Sequence, residues 1–351
     1  MEPIRPEKKR RGRGLTVLLV FSNLLLCLAL AVTIFLVLQT ERRQDERAVA
    51  AMAEASVLRE DLEGAQSRIG ELEETTIPIE TFKGYAQQYG VSAEFIQRFF
   101  DDAIVYKDAG GIVYQPIDPE LSKNSYDWSN LVRENGRLYY RPEDGPEALT
   151  GIDVSTHQGK IDWEKVAADG IDFAMIRLGL RGYGQSGVLK LDDRFEENLK
   201  GAAEAGLAVG VYFYSQAITV EEGIEEAELV LDTLSGRQLD FPVVFDQEEV
   251  FAADARTDDL DSVMATDIAI AFCDRVAEAG YQPMIYANTK WFIAQMDFSR
   301  LDKYGKWLAQ YYRTPFFPYQ FQMWQYTSTG TVDGIDGDVD LNLYFTSGSQ
   351  E

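Results

Sequence analysis

From residue 151 onward, short apolar runs alternate with segments whose apolar positions recur every three or four residues. The runs at 151–155, 173–179, 208–216, 242–248, 283–288, 307–311, 322–326 and 339–344 predict eight strands. The segments at 162–168, 193–205, 220–234 and 260–279 predict amphipathic helices. Gly170, Gly206 and Gly280 stand where a helix C-terminus favours a left-handed residue. Strands alternating with helices imply a parallel sheet, and eight of them imply closure into a barrel. Little helical pattern joins the last three runs, so the expected fold is an α/β, irregular (β/α) barrel over residues 150–347.

Before the barrel the pattern changes three times. Residues 15–38 form a 24-residue stretch without a charge, about 36 Å of helix, enough to cross a hydrocarbon core of about 30 Å. A cleavable signal has a shorter apolar core and a small-residue site directly after it, whereas here Glu41-Arg42-Arg43 follows. The stretch reads as an uncleaved anchor. Residues 40–76 lack proline until Pro78. Ala48, Ala51, Ala55, Leu58, Leu62, Ala65, Ile69 and Leu72 step by threes and fours, a heptad seam on a helical stalk. The seam suits either a homodimeric coiled coil or a lone spacer helix, and its four alanines weaken the first. Residues 79–149 show one or two helices over 81–100, then short β-like pieces parted by turn signals such as Asn135-Gly136. This reads as a small α+β module with no catalytic spacing.

Charge sharpens this organisation. Residues 1–14 hold six Lys/Arg against two Glu, a basic tail that places the N-terminus in the cytoplasm and everything after residue 38 outside. The chain as a whole carries −25, so its body repels phosphate backbones, and nucleic acid is excluded as a partner. Its two cysteines, Cys27 and Cys273, support neither a disulfide framework nor a cysteine-based zinc cluster. Cys273, within an amphipathic pattern, reads as a small buried hydrophobe.

Chemistry in such a barrel gathers at the C-terminal ends of strands. Three predicted strand ends carry acids: Asp153 in the first, Asp246 and Glu248 in the fourth, and Asp340 at the opening of the last. Asp246 and Glu248 stand two apart, on one face of a strand. Inward carboxylates are costly without a purpose. Clustered together, one stays protonated while another stays ionised. Cleavage of a glycosidic bond needs that pair: a proton for the leaving oxygen and an anion facing the oxocarbenium-like transition state. Metal binding is the rival use, and the domain offers a single histidine, His157, for a mixed site.

The motifs Gly151-Ile152-Asp153-Val154-Ser155-Thr156-His157-Gln158-Gly159, Gly210-Val211-Tyr212-Phe213-Tyr214, Pro242-Val243-Val244-Phe245-Asp246-Gln247-Glu248, Trp307-Leu308-Ala309-Gln310-Tyr311, Trp324-Gln325-Tyr326 and Val339-Asp340-Leu341-Asn342 occur in order. Together they resemble glycoside hydrolase family 25, the Chalaropsis-type lysozymes. The resemblance covers about residues 150–346. It implies a flattened barrel with five helices, and cleavage of the β-1,4 bond between N-acetylmuramic acid and N-acetylglucosamine of peptidoglycan without a metal or other cofactor. Glu248 matches the proton donor. Asp246 matches the partner carboxylate that stabilises the transition state or orients the acetamido group, and Asp153 and Asp340 match the remaining acids.

Tyr212, Tyr286 and Trp307 are candidates for stacking on or hydrogen-bonding to sugar. Arg177 is a candidate partner for a cluster carboxylate or for substrate. His157 reads as a loop histidine, since the carboxylates suffice. The whole is expected to be a single-pass, membrane-anchored muramidase with its catalytic domain outside the cell. The alternatives are a non-catalytic glycan-binding tether and a barrel glycosidase acting on another aminosugar polymer.

Overall fold

The computed structural model describes residues 13–250, 252 and 254–346; all but the last two residues of the basic tail lie outside them. The chain divides into two compact units, residues 1–85 and 86–351. The first is dominated by a single helix, α1 (Arg13–Thr75), which runs unbroken through the charge-free stretch and the expected stalk. Among the described residues it holds the one segment long and apolar enough to cross a membrane by length and composition. Leu58, Leu62 and Ile69 of the heptad seam are exposed along it. Pro78 lies just before α2 (Ile79–Tyr89), which runs into the second unit.

The second unit opens with α3 (Ala93–Gln97) and the hairpin β1 (Ala103–Asp108) and β2 (Gly111–Pro116). Gln97 is buried and stitches these together. Its Nε2 donates to the carbonyls of Phe100 and Ala103, and its Oε1 accepts the Val105 N–H at 2.7 Å. A second hairpin, β3 (Leu131–Glu134) and β4 (Arg137–Tyr140), turns at Asn135-Gly136, both with positive φ, as a tight two-residue hairpin demands.

The barrel strands are β5 (Leu149–Val154), β6 (Phe173–Arg181), β8 (Ala208–Ser215), β9 (Val243–Gln247), β10 (Pro283–Asn288), β11 (Gly305–Ala309), β12 (Met323–Gly330) and β13 (Val339–Tyr344). β7 (Leu189–Leu191) is a short antiparallel addition to the edge of β6. The eight close in the order β5-β6-β8-β9-β10-β11-β12-β13 and back to β5. The pairs from β5 through β12 are parallel, while β13 runs antiparallel to both of its neighbours. The connection from β12 to β13 is too short for a crossover, so the returning strand must reverse. This is the irregularity that the helix-poor C-terminal pattern implied.

α4 (Trp163–Ala168), α5 (Phe195–Glu204), α6 (Val220–Leu234) and α7 (Ser262–Glu278) pack outside. A five-residue π-helical turn at Trp291–Gln295 follows β10. The helices bury their apolar faces on the outward strand residues, while Phe173, Met175, Val244, Met284, Trp307 and Met323 fill the barrel interior. Gly151 makes room for that filling, since a Cβ there would stand 2.2 Å from the Phe173 ring.

Of residues 79–149, read from the sequence as a module of their own, 86–149 fall within the same compact unit as the barrel. Tyr126 stacks on Phe345 with centroids 4.2 Å apart and donates its hydroxyl to the Phe321 carbonyl at 2.6 Å. Trp128 stacks on Phe321, and Asn124 Nδ2 donates to the Phe317 carbonyl at 2.6 Å. Arg137 pairs with Asp169 and donates to the Thr331 carbonyl. Aromatic burial, with its polar tips satisfied, holds this segment against the C-terminal strands.

Candidate active site

The register of the barrel decides which side chains meet. Because β13 is antiparallel to β5, its first residues lie beside the last residues of β5, and Asp340 pairs directly with Asp153. Asp246, near the end of β9, lies in register with Tyr214 on β8 and Tyr286 on β10. The strand ends at Gln247, and Glu248 just beyond it lines the same cavity as Asp246. A cavity of about 740 Å³ opens at this end. All four acids line it, together with Tyr212, Tyr286, Trp307 and Arg177. His157, on the turn after β5, lines it as well.

Three of the expected aromatic and basic residues occupy places the sequence did not show. Trp307 is only 1% exposed and Tyr286 only 6%. Trp307 meets Tyr212 and Tyr286 edge-on and forms the floor of the cavity rather than an open stacking face. Its Nε1 donates to Asn342 Oδ1 at 2.8 Å. The exposed aromatics on the cavity are Tyr183 and Tyr311, at 55% and 51%. Arg177 does not ion-pair with a cluster carboxylate. Its Nε and Nη2 reach Asp192 Oδ2 at 2.9 and 2.8 Å. Asp192 is buried, and the same oxygen accepts the Thr156 N–H at 3.0 Å. Arg177 thereby pins the turn that carries His157.

Two polar residues that sequence reasoning passed over organise the centre. Asp153 Oδ2 accepts from Gln325 Nε2 at 2.9 Å and from Asn342 Nδ2 at 2.8 Å. Each amide is held by another donor. Tyr286 and Tyr311 donate to Gln325 Oε1 at 2.9 and 2.7 Å, while Trp307 holds Asn342. The amides therefore cannot flip without losing bonds, and both present N–H groups to Asp153. A signal existed: Asn342 follows Asp340 by two residues, the same one-face spacing that singled out Asp246 and Glu248.

Proton affinities across the cluster differ. Burial is the largest cause throughout. Asp153 is raised to about 6, held back by its two amide donors and pushed up by Glu248. Glu248 is raised to about 7 by burial and Asp340. Asp340 is raised to about 8 by burial and Asp153. Asp246 is pushed well above the carboxylate range by burial and the charges of Glu248 and Asp153, against Arg177. Asp246 Oδ1 is buried with no hydrogen-bond partner among the described residues, an environment that favours its protonated form. Near neutrality the cluster thus holds protons at several carboxyls and one anion, at Asp153. Among the described residues no group of three or more His, Cys, Asp or Glu is arranged to hold a metal ion.

Comparison with known proteins agrees with this geometry. The family model described as "Glycosyl hydrolases family 25" matches residues 152–335. The chain is 31% identical over 203 residues to "Uncharacterized protein YegX" of Escherichia coli K12, covering 56% of this chain and 69% of that one. It is 26% identical over 197 residues to the "Autolytic lysozyme" of Clostridium acetobutylicum, covering 56% of each. The modular autolysin LytC of Streptococcus pneumoniae, solved with a synthetic peptidoglycan ligand, shares the fold. Its TM-score is 0.53 at 23% identity, and the match covers 70% of this chain and 57% of that one.

Proposed function

The chain belongs to family 25 of the glycosyl hydrolases, and on that premise we propose that it cleaves the β-1,4 bond between N-acetylmuramic acid and N-acetylglucosamine in peptidoglycan. It is a glycoside hydrolase of the lysozyme type. The observation that carries the finer reading is the division of labour among four clustered carboxyls. Glu248 gives its proton to the bridging oxygen as the bond from that oxygen to the sugar C1 breaks. Positive charge then develops at C1 and faces the Asp153 anion, which the Gln325 and Asn342 amides keep ionised. Asp246, kept neutral by burial, takes the role of orienting the acetamido group, to which its single O–H donates. Water adds to C1 and gives one proton to the Glu248 carboxylate, which restores the acid and completes hydrolysis.

The same reading places the enzyme at a membrane. The charge-free part of α1 is the anchor, the basic tail before it stays in the cytoplasm, and the barrel lies outside, where peptidoglycan is found. The stalk that follows offers a weak seam through which two copies pair.

Digestion of purified peptidoglycan by the full chain in detergent tests the assignment. Wild type should release fragments ending in reducing muramic acid, and Glu248→Gln should lose activity by about 10²–10⁴-fold. Fragments ending in reducing N-acetylglucosamine would overturn the bond assignment, and full activity in the variant would overturn the acid.

A further inference from the structure

The active-site cavity has a neighbour that the catalytic reading does not use. Tyr311, on the exposed rim, also lines a second cavity of about 450 Å³. One wall is β12 of the barrel, and the other is the β3–β4 hairpin with α3. The segment before the barrel thus builds half of it. Three arginines line this space, Arg133, Arg137 and Arg313, against a single acid, Glu94. Arg137 is engaged by Asp169 and the Thr331 carbonyl. Glu94 accepts the Arg313 backbone N–H at 3.2 Å and lies 3.9 Å from Arg98. The side chains of Arg133 and Arg313 are exposed, and neither has an ion-pair partner among the described residues. Arg133 Nη1 donates to the Gly136 carbonyl at 3.3 Å, which holds the group at the turn and leaves its charge unneutralised. In a chain of net charge −25, two guanidinium groups with no acidic partner among the described residues, in a recess adjoining the cleft, run against the general field.

We propose that this recess binds the carboxylates of the peptide stems carried by muramic acid while the glycan lies in the adjoining cleft. The inference rests on peptidoglycan being the substrate. The stem leaves the sugar on a lactyl arm and extends about 3.3–3.6 Å per residue, and Tyr311, which lines both cavities, marks the path by which it passes from the cleft into the recess. Its free carboxylates match the planar fork of a guanidinium, and they reach farther from the sugar than the single lactyl carboxylate that bare glycan keeps at each muramic acid. The segment at 86–149 then acts as the wall that lets a general barrel prefer cross-linkable, stem-bearing glycan over bare chains.

The test compares the full chain in detergent with the double variant Arg133→Ala/Arg313→Ala, on intact peptidoglycan and on glycan stripped of stems by an amidase. The variant should raise KM on stem-bearing material by about tenfold, leave kcat unchanged, and match wild type on stripped glycan. Equal KM on intact peptidoglycan would overturn the proposal, as would an equal loss on both substrates. If no substrate is turned over, the hydrolase reading fails, and the recess is judged by titration with a soluble disaccharide tetrapeptide against the bare disaccharide. Stem-dependent binding lost in the variant supports the recess on its own, and binding indifferent to stem or variant overturns it.

Discussion

Asp153 and Asp340 stand opposite each other across the antiparallel β5–β13 pair, yet they hold protons unequally. Asp153 has two amide donors on one oxygen, whereas Asp340 has only its own backbone N–H to favour the ionised form. The repulsion between them is therefore relieved in one direction. Asp153 keeps the charge, and burial together with that charge raises the proton affinity of Asp340 to about 8. A single reversed strand creates this pairing, because a parallel β13 would put its opening residues at the far end of the barrel.

The unequal affinities fix a pH profile. Activity needs Asp153 ionised, which holds above about 6, and Glu248 protonated, which holds below about 7. The profile of kcat/KM should be a bell with closely spaced limbs and its summit between those values. The limbs belong to the coupled cluster rather than to single residues. A profile flat from acid through alkaline pH would contradict the two-group requirement.

Asn342→Ala should move the acid limb upward. The variant removes one of two donors that favour the ionised Asp153, so its proton affinity rises and the anion is lost at a higher pH. The activity deficit should be larger at pH 5.5 than at the wild-type optimum. Trp307→Phe should act in the same direction more weakly, since it keeps the ring packing and frees Asn342 only from its holding bond. Overlaid profiles for the three proteins decide it, and coincident acid limbs would show that these amides do not tune Asp153.

Legibility in the sequence followed the strength of each local pattern. The runs at 283–288 and 339–344 and the helix at 220–234 match the structure to the residue, because turn formers bound them clearly. The helix expected from residue 260 begins at Ser262, since the Asp261 side chain caps it by accepting the Met264 N–H. β7 escaped notice because three residues with a central lysine carry no period. The acids were legible because a carboxylate in an apolar run is conspicuous. Gln325 and Asn342 were not, because a neutral amide in a strand looks like ordinary packing until its partners are seen. The Arg177 partner came from Asp192 on a loop fifteen residues away, a contact that only tertiary structure reveals.

The seating of the segment before the barrel can be measured by Tyr126→Ala. The variant loses the stack on Phe345 and the bond to the Phe321 carbonyl, and should destabilise the second unit by about 2–3 kcal/mol, the low end of aromatic truncation because Tyr126 is only half-buried. Tyr183→Ala, at the exposed cavity rim, is the matched control and should leave thermal stability unchanged. Equal melting temperatures for Tyr126→Ala and wild type would show that this aromatic cluster contributes nothing to holding the segment.

Asp340→Asn separates the cost of the cluster from its chemistry. The folded-state affinity of Asp340 is raised from 3.8 to about 8, so the native state holds its proton more tightly than the unfolded chain does. The stability from that proton is complete below about 4 and is lost as pH rises through about 8, where the native state must carry a partly buried charge beside Asp153. An asparagine of nearly the same shape carries no such charge at any pH. The variant should therefore melt several degrees higher than wild type at pH 8 and close to wild type at pH 4, while its hydrolytic activity falls. A thermal shift independent of pH would mean that the repulsion between Asp153 and Asp340 is relieved by solvent, and that the cluster is assembled at no cost to folding.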